Sequence, residues 1–320
     1  MHSRPRWHLP LAVLSLALAL SLAACGGGGG GTSSGASANP PASSSNLPAE
    51  PGAPALTGNA ALDGFNWINF RRAQLGVAVL SRNSMLATAA QGHADYQRIN
   101  NTVTHIQTPG LPGFTGATLA DRLANAGYVL VRPYAYGEII SATNSTSGFV
   151  LAEELVTAIY HRFVMFEPVF KEMGTGAALG SGGYSYFTCD MAANNGYGLG
   201  LGGGRAAGYP VNGQTQVPTS FLSNNETPDP VPDLNEVGYP ISMHADITTT
   251  MTVQSFTVRP HGGAPLATRL LSHATDTETP TSAAAIVPLA VLQPGTTYDV
   301  AFSGAVDGVP LSRSWSFTTR

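Results

Sequence analysis

The chain has 320 residues, 43% of them hydrophobic and only 11% charged, with a formal net charge of -4. That is long enough for two domains and apolar enough for packed cores, which excludes a disordered polymer. The acidic balance, with no Lys/Arg cluster beyond the N-terminus, excludes general nucleic-acid binding.

Arg4, Arg6 and His8 precede an apolar run from Leu9 to Leu22. The run is too short for an ordinary membrane span, and residues 1–24 read as a secretory signal. Leu22-Ala23-Ala24 lead directly into Cys25. This ending resembles the lipobox of bacterial lipoproteins, which implies that Cys25 is lipidated and becomes the first mature residue. Each buried methylene is worth about 0.8 kcal/mol and one acyl chain holds only marginally, so several chains make a durable anchor. Gly26 rather than Asp follows, and the resemblance therefore implies the outer membrane as partner, with the protein facing the periplasm or the exterior. Lipidation of Cys25 leaves Cys189 without an intramolecular disulfide partner. Residues 25–55 are rich in Gly, Ser, Ala and Pro and read as a flexible tether.

From Leu56 onward the pattern is globular. Asn59 to Gln74 predicts a helix, with Leu62, Phe65, Ile68 or Asn69, and Arg72 at helical spacing and Gly76 as its stop. Asn83 to Ile99 predicts a second, capped by Ser84, with Leu86, Ala89, Ala90, His93 and Gln97 along one side. Thr104-His105 falls in the loop after it, and Pro109 to Gly116 is loop by composition. Thr118 to Ala126 predicts a short helix with Asp121 near its positive end and Gly127 as stop. Ser147 to His161 predicts one long helix with Phe149, Ala152, Leu155, Val156 and Ile159 as its buried stripe.

Beyond Pro168 the signals are those of strands. Gly174 to Leu179 and Tyr184 to Met191 are short runs divided by turn residues. Gly198 to Gly204 lacks the Gly-Lys-Ser/Thr ending of a phosphate loop and reads as a turn. Residues 206–238 read as a Pro-, Asn- and Gly-rich connector. Residues 239–320 then hold only strands: Thr250–Val258, Leu266–His273, Ala283–Leu289, Thr297–Phe302 and Ser312–Thr318. Gln293-Pro294-Gly295-Thr296-Thr297-Tyr298 and the ending Trp315-Ser316-Phe317-Thr318-Thr319 resemble bacterial immunoglobulin-like domains of surface proteins.

Between Leu56 and Met191 an ordered set of features stands out. It comprises Asn69-Phe70-Arg71-Arg72, Thr104-His105, Asp121-Arg122-Leu123, Ala126-Gly127-Tyr128, Gly137-Glu138, Tyr160-His161-Arg162 and Gly174-Thr175-Gly176. The set resembles the bacterial branch of the CAP superfamily (cysteine-rich secretory proteins, antigen 5, pathogenesis-related 1). The implied fold class is α+β: a CAP-type α-β-α sandwich over 56–205, then an all-β immunoglobulin-like sandwich over 239–320. The resemblance also implies a cleft lined by His105, His161 and Glu138. The family's second acid would fall near Thr157 and Ala158. Glu154 is the nearest carboxylate and shares a helical face with His161, so it stands as the candidate.

Two imidazoles and a carboxylate approach the ligand count of a catalytic zinc site, and His105, Glu138, His161 and Glu154 are the candidate metal ligands. Zinc is the expected ion if one binds, although their separation in sequence matches no compact metal motif. No nucleophile elbow of the form Gly-x-Ser-x-Gly falls in the globular part from Leu56 onward. Cys189 sits in an apolar strand-like run where a thiol is inert, and Arg162 is expected to pair with Glu138 or Glu167. The expected function is a lipid-anchored extracytoplasmic binding or interaction module, with a lipid or cell-envelope glycan as ligand. The alternative is a metal-assisted hydrolase of the envelope that would use His105, Glu138 and His161 as catalytic residues.

Overall fold

The computed structural model describes residues 50–180 and 183–320, together with Leu47 and the backbone of Ala19–Leu20. Cys25 and, apart from that dipeptide, the signal segment lie outside the described residues, as does most of the tether. In chain order the first half contains β1 (Ala19–Leu20), α1 (Ala60–Leu75), β2 (Ser81–Arg82), α2 (Ser84–Asn100), α3 (Leu119–Asn125) and β3 (Ala135–Thr143). It continues with α4 (Gly148–Thr157), α5 (Ile159–Met165), β4 (Glu172–Leu179) and β5 (Ser185–Ala193). The sheet runs β1-β3-β5-β4-β2, with antiparallel β3, β5 and β4 at its centre.

Local chemistry explains the helix ends. Asn59 accepts from the Leu62 amide and starts α1, and Gly76 ends it at φ 81°, a conformation glycine adopts without a Cβ clash. Asn83, not Ser84, caps α2 by accepting from the Met85 and Leu86 amides. Thr118 and Asp121 close a reciprocal capping box on α3.

Two expectations need correction. The buried face of α1 is Asp63, Gly64, Trp67, Ile68, Arg71, Arg72 and Leu75 rather than the stripe through Leu62 and Phe65. Its polar members are buried because they have partners. Arg71 meets Glu153 and Glu50, and Arg72 donates to the Met165 and Glu167 carbonyls. The single helix expected over Ser147–His161 is two helices, because Ala158 is extended at φ -70°, ψ 118° between α4 and α5.

The sheet lies between two helical layers, and side-chain alternation along β4 shows why. Gly174 and Gly176 face α2, whose backbone at Ala87 and Gln91 comes so close that a Cβ on either glycine would overlap it. Thr175, on the other face, donates to the Ala61 carbonyl of α1. Gly176→Ala should therefore cost about 1–3 kcal/mol by overpacking, read as a lower urea midpoint with unchanged slope.

The second half contains β6 (Ala207–Tyr209), β7 (Gln214–Val217), β8 (Ser220–Leu222), β9 (Glu236–Gly238) and β10 (Ile241–His244). After these come β11 (Met251–Pro260), β12 (Thr268–Ser272), β13 (Ala283–Pro288), β14 (Thr297–Val306) and β15 (Val309–Thr319). Two four-stranded sheets, β12-β13-β10-β6 and β11-β14-β15-β7, share an apolar core that includes Ile241, Met243, Val258, Val300 and Phe302. Residues 206–238 are thus more than a connector, since β6 and β7 complete one sheet each. Likewise, the end of the expected tether is held: Glu50 accepts from Arg71 Nη2 at 2.6 Å and Nη1 at 2.7 Å. No helix among the described residues is long and apolar enough to cross a membrane.

The two halves meet through α5. Ser242 and His244 of β10 point toward it, and Phe163 and Phe166 pack edge-on against His244. Arg162, wholly buried, donates to the Pro240 carbonyl and to Ser242 Oγ and lies over the rings of Tyr209 and Tyr239. It pairs with neither Glu138 nor Glu167. Glu167 instead accepts from the Val169 amide at 3.1 Å and, across the junction, from the Ile247 amide at 3.0 Å. The Gly198–Gly204 loop ties down the same edge, with the Leu201 and Gly202 amides donating to Asp246.

Burial pushes the Glu167 carboxyl up to about 8. A raised acid favours the folded state while protonated, so its contribution is full below the ordinary value of 4.5 and is lost as pH rises through about 8. Thermal stability should fall across that window, and Glu167→Gln, which keeps an acceptor for both amides, should flatten the fall. An unchanged slope in the variant would rule Glu167 out as its source.

Candidate functional site

The four expected side chains fall into two constellations, divided by the alternation of β3. Glu138 points to the layer of α2 and α3, whereas Ser141 points to α4. In the first constellation Arg122, from α3, donates through Nη2 to both oxygens of Glu138 at 2.7 Å and through Nη1 to the His105 carbonyl at 3.0 Å. His105 Nδ1 lies 2.8 Å from Glu138 Oε1. Burial alone would raise the Glu138 carboxyl, but the Arg122 guanidinium and the neighbouring imidazoles hold it well below the usual carboxylate range.

Two residues that the sequence reading did not place in the site complete this cluster. His93 is fully buried, accepts from Gln107 Nε2 at Nδ1 and bonds the Thr104 carbonyl at 2.6 Å. Burial lowers it to about 4, so it stays neutral. Asp190 sits opposite Glu138 in the β3–β5 register, and neither of its oxygens has a hydrogen-bond partner. Burial, reinforced by the charge on Glu138, pushes Asp190 well above its ordinary value. Asp190, a buried strand position in an apolar run, offered no sequence signal for its role, and His93 was legible only as part of the buried stripe of α2.

The second constellation surrounds a pocket of about 670 Å³. Its wall includes Ser141, Glu153, Glu154, Thr157, His161 and Tyr184 from the first half, and Gln216, Ser220, Asn224, Asn225 and Arg320 from the second. Val103 and Ile140 reach it, but His105 and Glu138 do not line it. Glu154 accepts from Ser141 Oγ at 3.0 Å and does not bond His161. Burial raises the Glu154 carboxyl against the opposing bonds from Ser141 and Thr143. The carboxylate on His161 is Glu226, whose Oε1 lies 2.9 Å from Nδ1.

These contacts decide how well zinc would fit. Both oxygens of Glu138 are engaged by Arg122, and Glu226 is engaged by three backbone amides as well as His161. Among the described residues no three His, Cys, Asp or Glu side chains gather as a metal-ligand group. Two buried imidazole nitrogens, Nε2 of His105 and of His161, have no hydrogen-bond partner. A zinc site needs more donors than these. The arrangement instead presents two imidazoles, each held at Nδ1 by a carboxylate. Cys189 is buried, and burial pushes its thiol well above the ordinary range, as expected of an inert strand cysteine.

Breaking the first constellation should be costly. Arg122→Leu leaves Glu138 buried without its guanidinium partner and with only the His105 imidazole beside it, for an expected loss of about 3–5 kcal/mol in urea unfolding. Adding Glu138→Gln to that variant should recover a substantial part of the loss, and strictly additive effects would contradict the pairing.

Comparison with known proteins bears on the first half of the chain. Residues 65–191 match the model of the CAP family, described as the cysteine-rich secretory protein family. No curated protein matches. Among solved structures, an extracellular protein containing an SCP domain from Bacillus anthracis str. Ames is 22% identical, with a TM-score of 0.34 over 41% of this chain and 39% of that one. An outer surface protein of Borrelia burgdorferi is 15% identical, with a TM-score of 0.34 over 41% of this chain and 90% of that one. This chain therefore spans well under half the length of the first of these structures. The stretch similar to the CAP family, residues 65–191, is thus a mixed helix-and-sheet unit followed by a β-rich region.

Proposed function

We propose that this protein is an extracytoplasmic CAP-domain binding module that holds an uncharged, hydroxyl-bearing cell-envelope molecule, a glycan or a neutral lipid, in the His161 pocket. Lipidated Cys25 anchors it to the outer membrane, and the C-terminal β-sandwich is immunoglobulin-like. The observation that carries the reading is that His161, whose buried Nε2 has no hydrogen-bond partner, lines a pocket large enough for a small ligand.

The electrostatics of the wall favour a neutral ligand. Arg71 is offset by Glu50 and Glu153, which grip it from two sides. Burial raises the Glu154 carboxyl above its ordinary value. Donors and acceptors are plentiful, and the charges of Arg71 and Arg320 largely offset those of Glu50, Glu153 and Glu154. Metal-assisted hydrolysis ranks second, because Glu138 would first have to leave Arg122 to serve as ligand or base.

The test is calorimetry on the full chain carrying Cys25→Ser, with an N-acetylglucosamine tetramer and a short-chain diacylglycerol as probes. Binding of either, weakened about 3- to 10-fold by His161→Ala as for the loss of one buried hydrogen bond, is the expected result. Absence of binding by both probes, or equal affinity in the variant, overturns the reading.

A further inference from the structure

The CAP match ends at residue 191, and within it the positions expected to carry the second acid hold Thr157 and Ala158. An acid reaches His161 from elsewhere. After β8 the chain turns through Ser223–Asn225 and brings Glu226, 1% exposed, into the break between α4 and α5. Its Oε2 accepts from the Ile159 amide at 2.8 Å, and its Oε1 from the Tyr160 amide at 2.7 Å and the His161 amide at 3.1 Å. Capping α5 needs only those three bonds. The fourth, between Oε1 and His161 Nδ1 at 2.9 Å, acts on the side chain.

We infer that Glu226 is the positioning residue of His161, and that the segment after the CAP domain thereby supplies part of the binding site. A carboxylate on Nδ1 fixes the proton there and leaves the lone pair on Nε2, whereas an unconstrained imidazole favours the proton on Nε2. The pocket wall thus gains a buried acceptor suited to a ligand O–H or N–H. Neither nearby alternative competes for Nδ1. Glu154 is engaged by Ser141, and Thr157 donates to the Glu153 carbonyl. His105 repeats the arrangement with Glu138, an acid from within the CAP stretch itself. The choice of ligand donor rests on the binding reading above, but the role of Glu226 does not.

The tautomer of His161 is read by long-range ¹H–¹⁵N NMR on the full chain with Cys25→Ser, beside the Glu226→Ala variant. The expected result is Nδ1–H in the parent and a shift toward Nε2–H in the variant, with probe affinity falling about as far as in His161→Ala. An Nε2–H tautomer in the parent overturns the inference even if the variant fails to fold. An unchanged tautomer in a folded variant also overturns it and leaves Glu226 as a helix cap only. A tautomer shift with no probe binding in the parent upholds Glu226 and removes the ligand reading alone.

Discussion

The junction between the two halves depends on a guanidinium with no carboxylate partner. Arg162 is fully buried and donates to backbone carbonyls on both sides: Val156 and Thr157 at the end of α4, and Pro240 ahead of β10. Those carbonyls at the end of α4 lose their helical partners where Ala158 turns extended, and Arg162 satisfies them. The tyrosine rings of Tyr209 and Tyr239 flank the same charge. One side chain thus makes the helix break tolerable and fixes the sandwich against it. The break in turn exposes the amides of α5 that Glu226 accepts from, and it determines where His161 points.

The interior is unusually rich in ionisable groups, and their states follow from pairing rather than from residue type. Arg122 grips both oxygens of Glu138 and favours its charged form, while Asp190, opposite it in the sheet, is pushed up by burial and by that same charge. Glu167 and Glu154 are also pushed up by burial. His93 is held neutral as a structural side chain, despite lying 4.0 Å from Glu138. Among the described residues only His105 and His161 keep a buried ring nitrogen unpartnered, which separates them from the structural polar network.

Much of the first half was legible from local signals. Asn59, Gly76, Thr118 and Asp121 announced helix ends because caps and left-handed stops depend on a few adjacent residues. Strand runs around 174–179 and 283–288 were visible from composition and turn residues. The α1 face was read correctly at Ile68 and Arg72 but not at Leu62 and Phe65, because apolar spacing does not show that Asp63 and Arg71 are buried with partners. Strands β6 and β7 were missed because three or four residues amid Pro and Gly carry no periodic signal, and only pairing with β10 and β15 makes them strands.

The sequence by itself determined the positions of α1, α2 and α3, the change from helices to strands after Pro168, the presence of His105, Glu138 and His161, and the resemblance that connects them. Those properties reside in short stretches and in residue order. The partners of these side chains were decided only by the tertiary structure. Glu138 belongs to Arg122, His161 belongs to Glu226 from beyond the CAP stretch, and Arg162 belongs to the sandwich. The physical reason is that a buried polar group takes whichever complementary atom the packed chain brings within hydrogen-bond reach. Separation along the sequence does not encode that distance.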